Sequence, residues 1–312
     1  MALKLLLLIA LAWPGLLCQA AEPPAAPVAV RASNGTPERL VWAGAPYAPM
    51  VIREGSLRGR GYVDRMLAEV LQPGLPQYRH ETLHVSPTRL DRELRESDQA
   101  VCSPAFSRTA SRMTRYAFTS AIFRFLPVGV VMRRDHALAP APRLDPQPLS
   151  LQALSLQALL DRGVRLGLVG YRAHGGMVDL MLGAHAAQVQ RFVLNTSNQS
   201  VLAMLARAHA VDATLVYEFE LSYFVALQPE LGKQLAWWPL EELDESQLSY
   251  IACSVSLAGR RAVLAIDRLL AQPGVRERLQ ALHEQWLDEG SRRRLKELRL
   301  RMGSLFWRDP RD

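Results

Sequence analysis

The feature that most constrains the fold of this chain is the alternation of strand-like and helix-like segments, which occurs in two successive blocks. Short apolar runs predict strands, whereas apolar residues spaced three and four apart predict helices. In the first block, strands are predicted at 39–43, 78–83 and 100–102, with helices at 61–72 and 89–95. Such regular alternation is typical of α/β architecture.

A second block of the same kind begins near Phe125 and is followed by a helical return. Its predicted strands are at 127–132, 164–169, 192–194 and 210–216, and its predicted helices are at 151–160, 178–182 and 200–209. A long helical stretch with one apolar face follows Cys253. The sequence therefore predicts an α/β chain built in two blocks, with a helical segment that returns to the first.

The first residues predict export. Lys4, an apolar run over 5–11 and the small-residue pattern before Ala20 indicate a signal peptide over 1–20, cleaved near Ala20. The apolar run is shorter than the roughly 20 residues that span a bilayer. Lipoprotein processing at Cys18 is the alternative, and Leu17 disfavours it because a small residue is expected there. Residues 21–36, rich in Ala and Pro, predict a disordered lead-in to a periplasmic protein.

Composition argues against several other classes of protein. The net charge of +7 comes mainly from arginines that are spread along the chain, so no nucleic-acid partner is expected. The sequence contains no CxxC pair and no phosphate loop, and no metal and no cofactor are expected. The basic tail 292–301 is interleaved with leucines, and we expect a helix packed on its own lobe, with an anionic membrane surface as the alternative.

Export would leave two cysteines, Cys102 and Cys253, in an oxidising compartment. An even pair there is consistent with a disulfide. Two separate buried thiols are equally consistent, because free cysteine packs like a small apolar side chain. The sequence leaves both alternatives open.

Three short motifs carry the indication of function. They are Tyr47-Ala48-Pro49, Gly61-Tyr62-Val63-Asp64, and Thr109-Ala-Ser-Arg112 followed by Phe118-Thr119. A guanidinium facing a cleft can take a carboxylate through two parallel hydrogen bonds, and an aromatic ring can cover the apolar part of the same ligand. In this order and spacing, the motifs resemble those of the type II periplasmic solute-binding proteins, family 3, which contains amino-acid-binding receptors.

The resemblance implies a two-lobed periplasmic binding protein type II fold, each lobe a mainly parallel sheet flanked by helices. It implies one lobe formed by 37–125 and 254–312, another formed by 126–253, and a hinge near Phe125 and Ser249. The implied function is to close on a small anionic or zwitterionic, amino-acid-like metabolite. A monomer would then deliver it to an ABC importer or report it to a membrane sensor.

The resemblance also assigns roles to single residues. Arg112 would clamp a carboxylate and Tyr47 would be the stacking wall, while the loop 170–176 would offer the free backbone amides of a helix N-terminus. Tyr217 and Glu218 stand where amino-acid receptors have an aspartate for the ligand's ammonium group. The implied ligand-binding residues are Arg112, Tyr47, Glu218, Tyr217, Ser107, Arg172 and Gly170.

We expect no catalytic residue, so the chain is predicted not to be an enzyme. The alternative is a periplasmic enzyme on the same fold, such as a cyclic-acid dehydratase, in which Glu218, His84 or His174 would act as acid or base.

Overall fold

The computed structural model describes residues 37–140, 153–170, 172, 174, 176–192, 197–208 and 210–309. Its strands are β1 (Glu38–Gly44), β2 (Tyr78–His84), β3 (Ala100–Phe106), β4 (Ala117–Phe118), β5 (Phe123–Phe125), β6 (Gly129–Arg133), β7 (Leu166–Val169), β8 (Val189–Phe192), β9 (Ala213–Val216), β10 (Leu235–Pro239) and β11 (Gln247–Cys253). Its α-helices are α1 (Tyr62–Met66), α2 (Gln72–Gly74), α3 (Pro87–Glu96), α4 (Ala110–Met113), α5 (Leu156–Asp161), α6 (Gly176–Ala184), α7 (Asn198–Ala206), α8 (Glu218–Leu227), α9 (Pro229–Gly232), α10 (Leu257–Leu270), α11 (Val275–Glu284) and α12 (Glu289–Met302). A π-helical segment, Leu67–Leu71, joins α1 to α2.

The first sheet has the strand order β2-β1-β3-β11-β4, with β5 also paired to β11. Side chains alternate between the two faces of a strand. In β1, Leu40 and Trp42 pack in one apolar cluster, whereas Val41 and Ala43 pack in another. Both faces of this strand are therefore buried, which explains why its sequence is almost continuously apolar.

The second sheet has the strand order β10-β6-β9-β7-β8. Helices α5 and α6 cover one of its faces with leucines and valines that are fully or nearly fully buried. The cluster centres on Val130, Met132, Leu156, Leu160, Leu166, Val178, Leu182 and Leu215. The predicted α/β class with two sheets flanked by helices is confirmed.

Strand directions differ from the expected mainly parallel sheets. β1 runs parallel to β2 and β3, but β11 is antiparallel to β3, β4 and β5. In the second sheet β7 is parallel to β8 and β9, whereas β6 is antiparallel to β9 and β10. In the first sheet the antiparallel strand is β11, which returns there after the chain has passed through the second sheet, whereas in the second sheet it is β6.

Two strands connect the sheets, and we call β5 and β11 the crossing pair. They are antiparallel, with Phe123 opposite Ser249 and Phe125 opposite Gln247. The backbone of Arg124, between them, is bound on both sides by the Gln280 amide, which accepts from its N–H at 2.8 Å and donates to its carbonyl at 2.9 Å.

The Arg124 side chain binds the segment after α12. Its guanidinium donates to the Phe306 carbonyl at 2.8 Å and to the Ser246 hydroxyl at 2.9 Å. Only 4% of this arginine is exposed. Burial lowers the pKa of Arg124, and Tyr250 and Asp309 partly offset that effect. The crossing pair is thus held from outside by α11 and by residues near 306.

The helical return is divided into three helices instead of one long stretch. Gly274, the residue directly before α11, has φ +80°, a conformation that favours glycine and separates α11 from α10. In α12, Leu295 and Leu298 are buried, while the Arg294 guanidinium lies 5.8 Å from the Trp237 ring centroid. The basic tail therefore packs on the protein. None of the helices in the described ranges is long and apolar enough to cross a bilayer.

Cys102 and Cys253 lie opposite each other on β3 and β11 and form a disulfide. Of the two alternatives that the sequence allowed, the bonded one is present. The expected leader 1–20 and lead-in 21–36 lie outside the described residues.

Candidate functional site

The loop that carries Tyr47 follows β1 and is held in place by Asp64. One carboxylate oxygen of Asp64 accepts the backbone N–H groups of Ile52 at 2.9 Å and of Gly61 at 3.1 Å. Burial raises the pKa of Asp64, and these two backbone hydrogen bonds oppose the rise. The Gly61-Tyr-Val-Asp64 motif therefore holds the loop that carries Tyr47 in place through these hydrogen bonds.

The same motif makes a steric prediction. A Cβ atom on Gly61 would overlap the Met50 carbonyl oxygen, whereas a Cβ atom on Gly44 would meet nothing within 4 Å. We expect Gly61→Ala to lower the free energy of unfolding by about 1–3 kcal/mol, as overpacking does. The matched control Gly44→Ala should change it by less than about 0.5 kcal/mol. Urea unfolding of both variants measures the difference, and equal stabilities would contradict the assigned role of Gly61.

Four polar side chains meet where the Tyr47 loop faces the second sheet, and we call them the Glu220 cluster: Tyr47, Arg172, Asn198 and Glu220. Asn198 donates to Glu220 and to the Tyr47 hydroxyl, each at 2.6 Å. Arg172 donates to Glu220 at 2.8 Å and also to the Tyr47 hydroxyl. Tyr47 in turn donates to Glu220. The cluster links the first sheet's loop directly to residues that follow β7, β8 and β9.

Glu220 is fully buried at the centre of the cluster. Burial raises the pKa of Glu220, and the hydrogen bond from the Tyr217 backbone N–H, at 2.7 Å, opposes the rise. Burial also lowers the pKa of Arg172, with Tyr217 opposing. A protonated carboxyl would need an acceptor for its own proton, yet every group bonded to Glu220 donates to it. The geometry therefore suits a carboxylate paired with the Arg172 guanidinium.

Tyr217 borders this cluster. Its ring is 4.9 Å from the Arg172 guanidinium and stacks on Phe219, with ring centroids 5.0 Å apart. Burial lowers the pKa of Arg112, and Tyr116 and Tyr217 are among the groups that oppose this effect.

Arg112 is half-buried and lies on α4, whose first turn is capped by the Thr109 hydroxyl. Its guanidinium donates to the Ser107 carbonyl at 3.1 Å and lies 4.5 Å from the Phe106 ring centroid. Within the described parts of the chain, no carboxylate forms an ion pair with it. The guanidinium is oriented by a carbonyl and a ring and keeps donors available for an anion.

Most of the expected binding residues fall in this region. Tyr47 and Arg172 belong to the Glu220 cluster, Tyr217 borders it, and Ser107 contributes its carbonyl to Arg112. Sequence analysis did not single out Glu220 or Asn198. Glu220 could have been identified from its position three residues after Tyr217, the N-cap of α8. A glutamate at that position accepts the backbone N–H of the N-cap residue.

The loop 170–176 differs from the expectation of free backbone amides. Gly170 donates its N–H to the Phe192 carbonyl at 2.7 Å, and Arg172 donates to the Val169 carbonyl at 3.2 Å. The N–H of His174 donates to the Asp179 carboxylate at 3.0 Å. The amides of Gly170, Arg172 and His174 are therefore used within the protein, and the Arg172 side chain extends from this loop to Tyr47 and Glu220.

Glu218 lies apart from the cluster, against the start of α12. One of its oxygens accepts the Ser222 hydroxyl at 2.7 Å and the Asp288 N–H at 3.0 Å, and the other has no hydrogen-bond partner in the described structure. Burial, with a contribution from Asp288, raises the pKa of Glu218 to about 8. Glu218 is thus a buried carboxyl that bonds Ser222 and Asp288, and no hydrogen bond joins it to the Glu220 cluster in the described structure.

The raised pKa of Glu218 predicts that the free energy of unfolding depends on pH. Because the folded pKa of about 8 lies above the unfolded value of about 4.3, the stabilisation from the neutral carboxyl is complete at low pH and is lost as the pH rises through about 8. Between pH ~5 and ~8, the wild-type protein should lose about 1 kcal/mol per pH unit relative to Glu218→Gln. Urea unfolding at three pH values measures this, and parallel pH profiles would refute it.

The enzyme alternative has three candidate acids or bases, His84, His174 and Glu218, and in the described structure they are not hydrogen-bonded to one another. Burial lowers the pKa of His174 to about 4, with Arg172 adding to the effect. Burial also lowers the pKa of His84, and Arg53 contributes. In the described ranges, no group of three or more potential ligands could hold a metal ion.

No protein-family model matches this sequence, and a search of curated proteins gives no match. Solved structures do resemble it. A structure from work on glutathione import through GshT and the cystine ABC importer TcyBC of Streptococcus mutans has a TM-score of 0.59 at 12% identity, covering 80% of this chain and 95% of its own. An ancestral arginine-binding protein bound to arginine has a TM-score of 0.55 at 16% identity, covering 81% and 99%.

Sensor domains resemble the chain as well. The periplasmic VFT2 domain of Bordetella pertussis BvgS has a TM-score of 0.51 at 16% identity, covering 79% of this chain and 92% of its own. A histidine kinase sensor domain similar to periplasmic binding proteins has a TM-score of 0.53 at the same identity, covering 80% and 96%. The chain therefore has the two-lobed fold of the type II periplasmic binding proteins, as the sequence resemblance implied. Within that fold, its structural neighbours include both transport-associated proteins and sensor domains.

Proposed function

We propose that this protein is a periplasmic solute-binding protein that closes on a small anionic or zwitterionic, amino-acid-like metabolite. The observation that supports this most directly is Arg112. It is a half-buried guanidinium, oriented by Ser107 and Phe106, whose donors meet no carboxylate in the described structure. The Tyr47 loop and the Glu220 cluster would supply the other wall of the ligand cleft.

We further propose that the two lobes rotate about the crossing pair, as in hinge closure around a ligand. The sequence assigned 126–253 to the second lobe, but β11 pairs within the first sheet. We therefore take the lobes as 37–125 with 247–312, and 126–246. The bonds from Tyr47 to Arg172, Asn198 and Glu220 cross between these lobes and would stabilise the closed form.

The proposed partner is a membrane protein, either an ABC importer or a sensor. Both kinds of assembly occur among the structural neighbours, in the importer of the glutathione-import work and in the histidine kinase sensor domain. We propose export through a leader over residues 1–20 and a role in binding without turnover, as a monomer.

Thermal melting of residues 21–312 against a panel of small carboxylates, amino acids and short peptides tests this function. A ligand at one hundred times its dissociation constant should add about 2.7 kcal/mol of stability. A concentration-dependent rise for one ligand class, with that ligand recovered unchanged after incubation, is the expected result. A panel without any rise would overturn the proposal, and conversion of the ligand would favour the enzyme alternative.

A further inference from the structure

We infer that the cleft selects carboxylic acids without a charged amine, namely 2-oxo, 2-hydroxy or unsubstituted acids, over the corresponding α-amino acids. This inference rests on the proposed solute-binding function and narrows its ligand class. It starts from one observation: the carboxylate beside Tyr47 is completely buried and already accepts hydrogen bonds from four protein groups.

Glu220 receives four hydrogen bonds from protein groups. Tyr47, Arg172 and Asn198 donate to one oxygen, and the Tyr217 backbone N–H donates to the other. Each carboxylate oxygen offers about two lone-pair sites, so the first oxygen is saturated, while the second accepts one bond. The Glu220 side chain is also 0% exposed, whereas that of Arg172 is 14% exposed. A ligand's ammonium group could reach Glu220 only by displacing groups that already neutralise it.

The other carboxylates of the surrounding segments each bond protein groups, and the unbonded oxygen of Glu218 is buried. Asp64 holds the Tyr47 loop, Asp179 binds the His174 backbone, and Glu218 binds Ser222 and Asp288. By sequence, neither 170–176 nor 193–196 contains an aspartate or glutamate.

Glu54 is the remaining acidic residue of the Tyr47 loop. It lines an open groove of about 450 Å³ together with Pro46, Ala48 and Tyr223. Glu54 is exposed, and an exposed ion pair typically contributes only about 0–1 kcal/mol. This carboxylate therefore offers little compensation for burying an ammonium group in the cleft.

The charge balance of the site favours the same ligand class. Glu220 balances the Arg172 guanidinium, whereas the Arg112 guanidinium forms no ion pair with a carboxylate of the described residues. A single carboxylate on the ligand would balance Arg112, and its planar oxygens match the guanidinium fork. An α-ammonium group would add a positive charge to a site whose carboxylates already bond protein groups. Burying such a charge without a partner is unfavourable.

The test uses pairs of ligands that differ only at the α position: pyruvate and lactate against alanine, 2-oxoglutarate against glutamate, and succinate against aspartate. Isothermal titration of the mature wild-type protein measures the affinity ratio within each pair. We expect the best-binding acid to bind at least ten times more tightly than its amino acid. Equal or tighter binding of the amino acid would overturn this inference and leave the proposed function intact, whereas binding of no pair member and of no other small solute would overturn both.

Glu220→Gln provides a second measurement, with thermal melting to verify that the variant is folded. The substitution removes the negative charge while retaining a similar shape, so the cleft gains net positive charge. We expect acid affinity to rise about threefold or more, with the preference for the acid retained. If Glu220 instead accepts a ligand's ammonium group, the variant will lose amino-acid affinity by tenfold or more, and that loss would overturn the inference.

Discussion

Arg112→Ala is expected to weaken binding of the cognate ligand by about 30-fold to several thousand-fold, which corresponds to about 2–5 kcal/mol. The loss is large because a carboxylate held by a half-buried guanidinium would remain desolvated without its partner. Arg112→Lys keeps the positive charge and loses the planar fork, so its affinity should fall between those of the wild-type and alanine proteins. Titration of the best ligand from the panel measures all three.

Arg115→Ala is the matched control for this series. Arg115 lies three residues further along, its side chain is 44% exposed, and it pairs with Asp91 on α3. Its removal should change affinity by less than about twofold, because exposed ion pairs contribute little. Similar losses in the Arg112 and Arg115 variants would indicate a general effect of positive charge. Retained affinity in Arg112→Ala would rule out Arg112 as the carboxylate site.

Removal of the Cys102–Cys253 disulfide is expected to have the largest effect on stability. The bond closes a loop with a sequence separation of 151 residues. By the chain-entropy relation, such a cross-link stabilises the folded protein by about 5 kcal/mol, and native disulfides typically contribute about 2–5 kcal/mol. The double variant Cys102→Ala/Cys253→Ala should therefore unfold at a markedly lower urea concentration than the oxidised wild-type protein.

Reductant supplies the control for this experiment. Both cysteines are 0% exposed, so the wild-type protein must be equilibrated with reductant in denaturant, where the unfolded chain is accessible. Its unfolding midpoint should then fall towards that of the double variant, whose own midpoint should not respond to reductant. Coincident oxidised and reduced curves for the wild-type protein would contradict a stabilising disulfide.

The fold was predictable because its signals are local. β1 alternates between two buried faces, and the apolar spacing after Gly61 is helical, so the sequence itself indicates these elements. Strand direction was not predictable in the same way. Whether β11 pairs parallel or antiparallel with β3 depends on how the chain returns from the second sheet, which is a tertiary property.

The site was predictable only in part. Tyr47, Arg172 and Tyr217 come together as expected, yet Glu218 was chosen where Glu220 occupies the cluster. Side chains two residues apart in a helix point in directions that differ by about 200°, so Glu218 and Glu220 of α8 face opposite surroundings. Which of the two glutamates faces Tyr47 depends on the residue at which α8 begins. Sequence reasoning locates helix ends only to within a few residues.

The Arg124 contacts have a consequence for how affinity is set. The Phe306 carbonyl and the Gln280 amide bind the middle residue of β5, inside the crossing pair. Any rotation there must either carry α11 and the segment near 306 along or break these bonds. If the lobes close as proposed, these bonds would contribute to the equilibrium between open and closed forms without touching the ligand. Substitutions at Gln280 or in the segment near 306 would then change the apparent affinity while leaving every ligand contact unchanged.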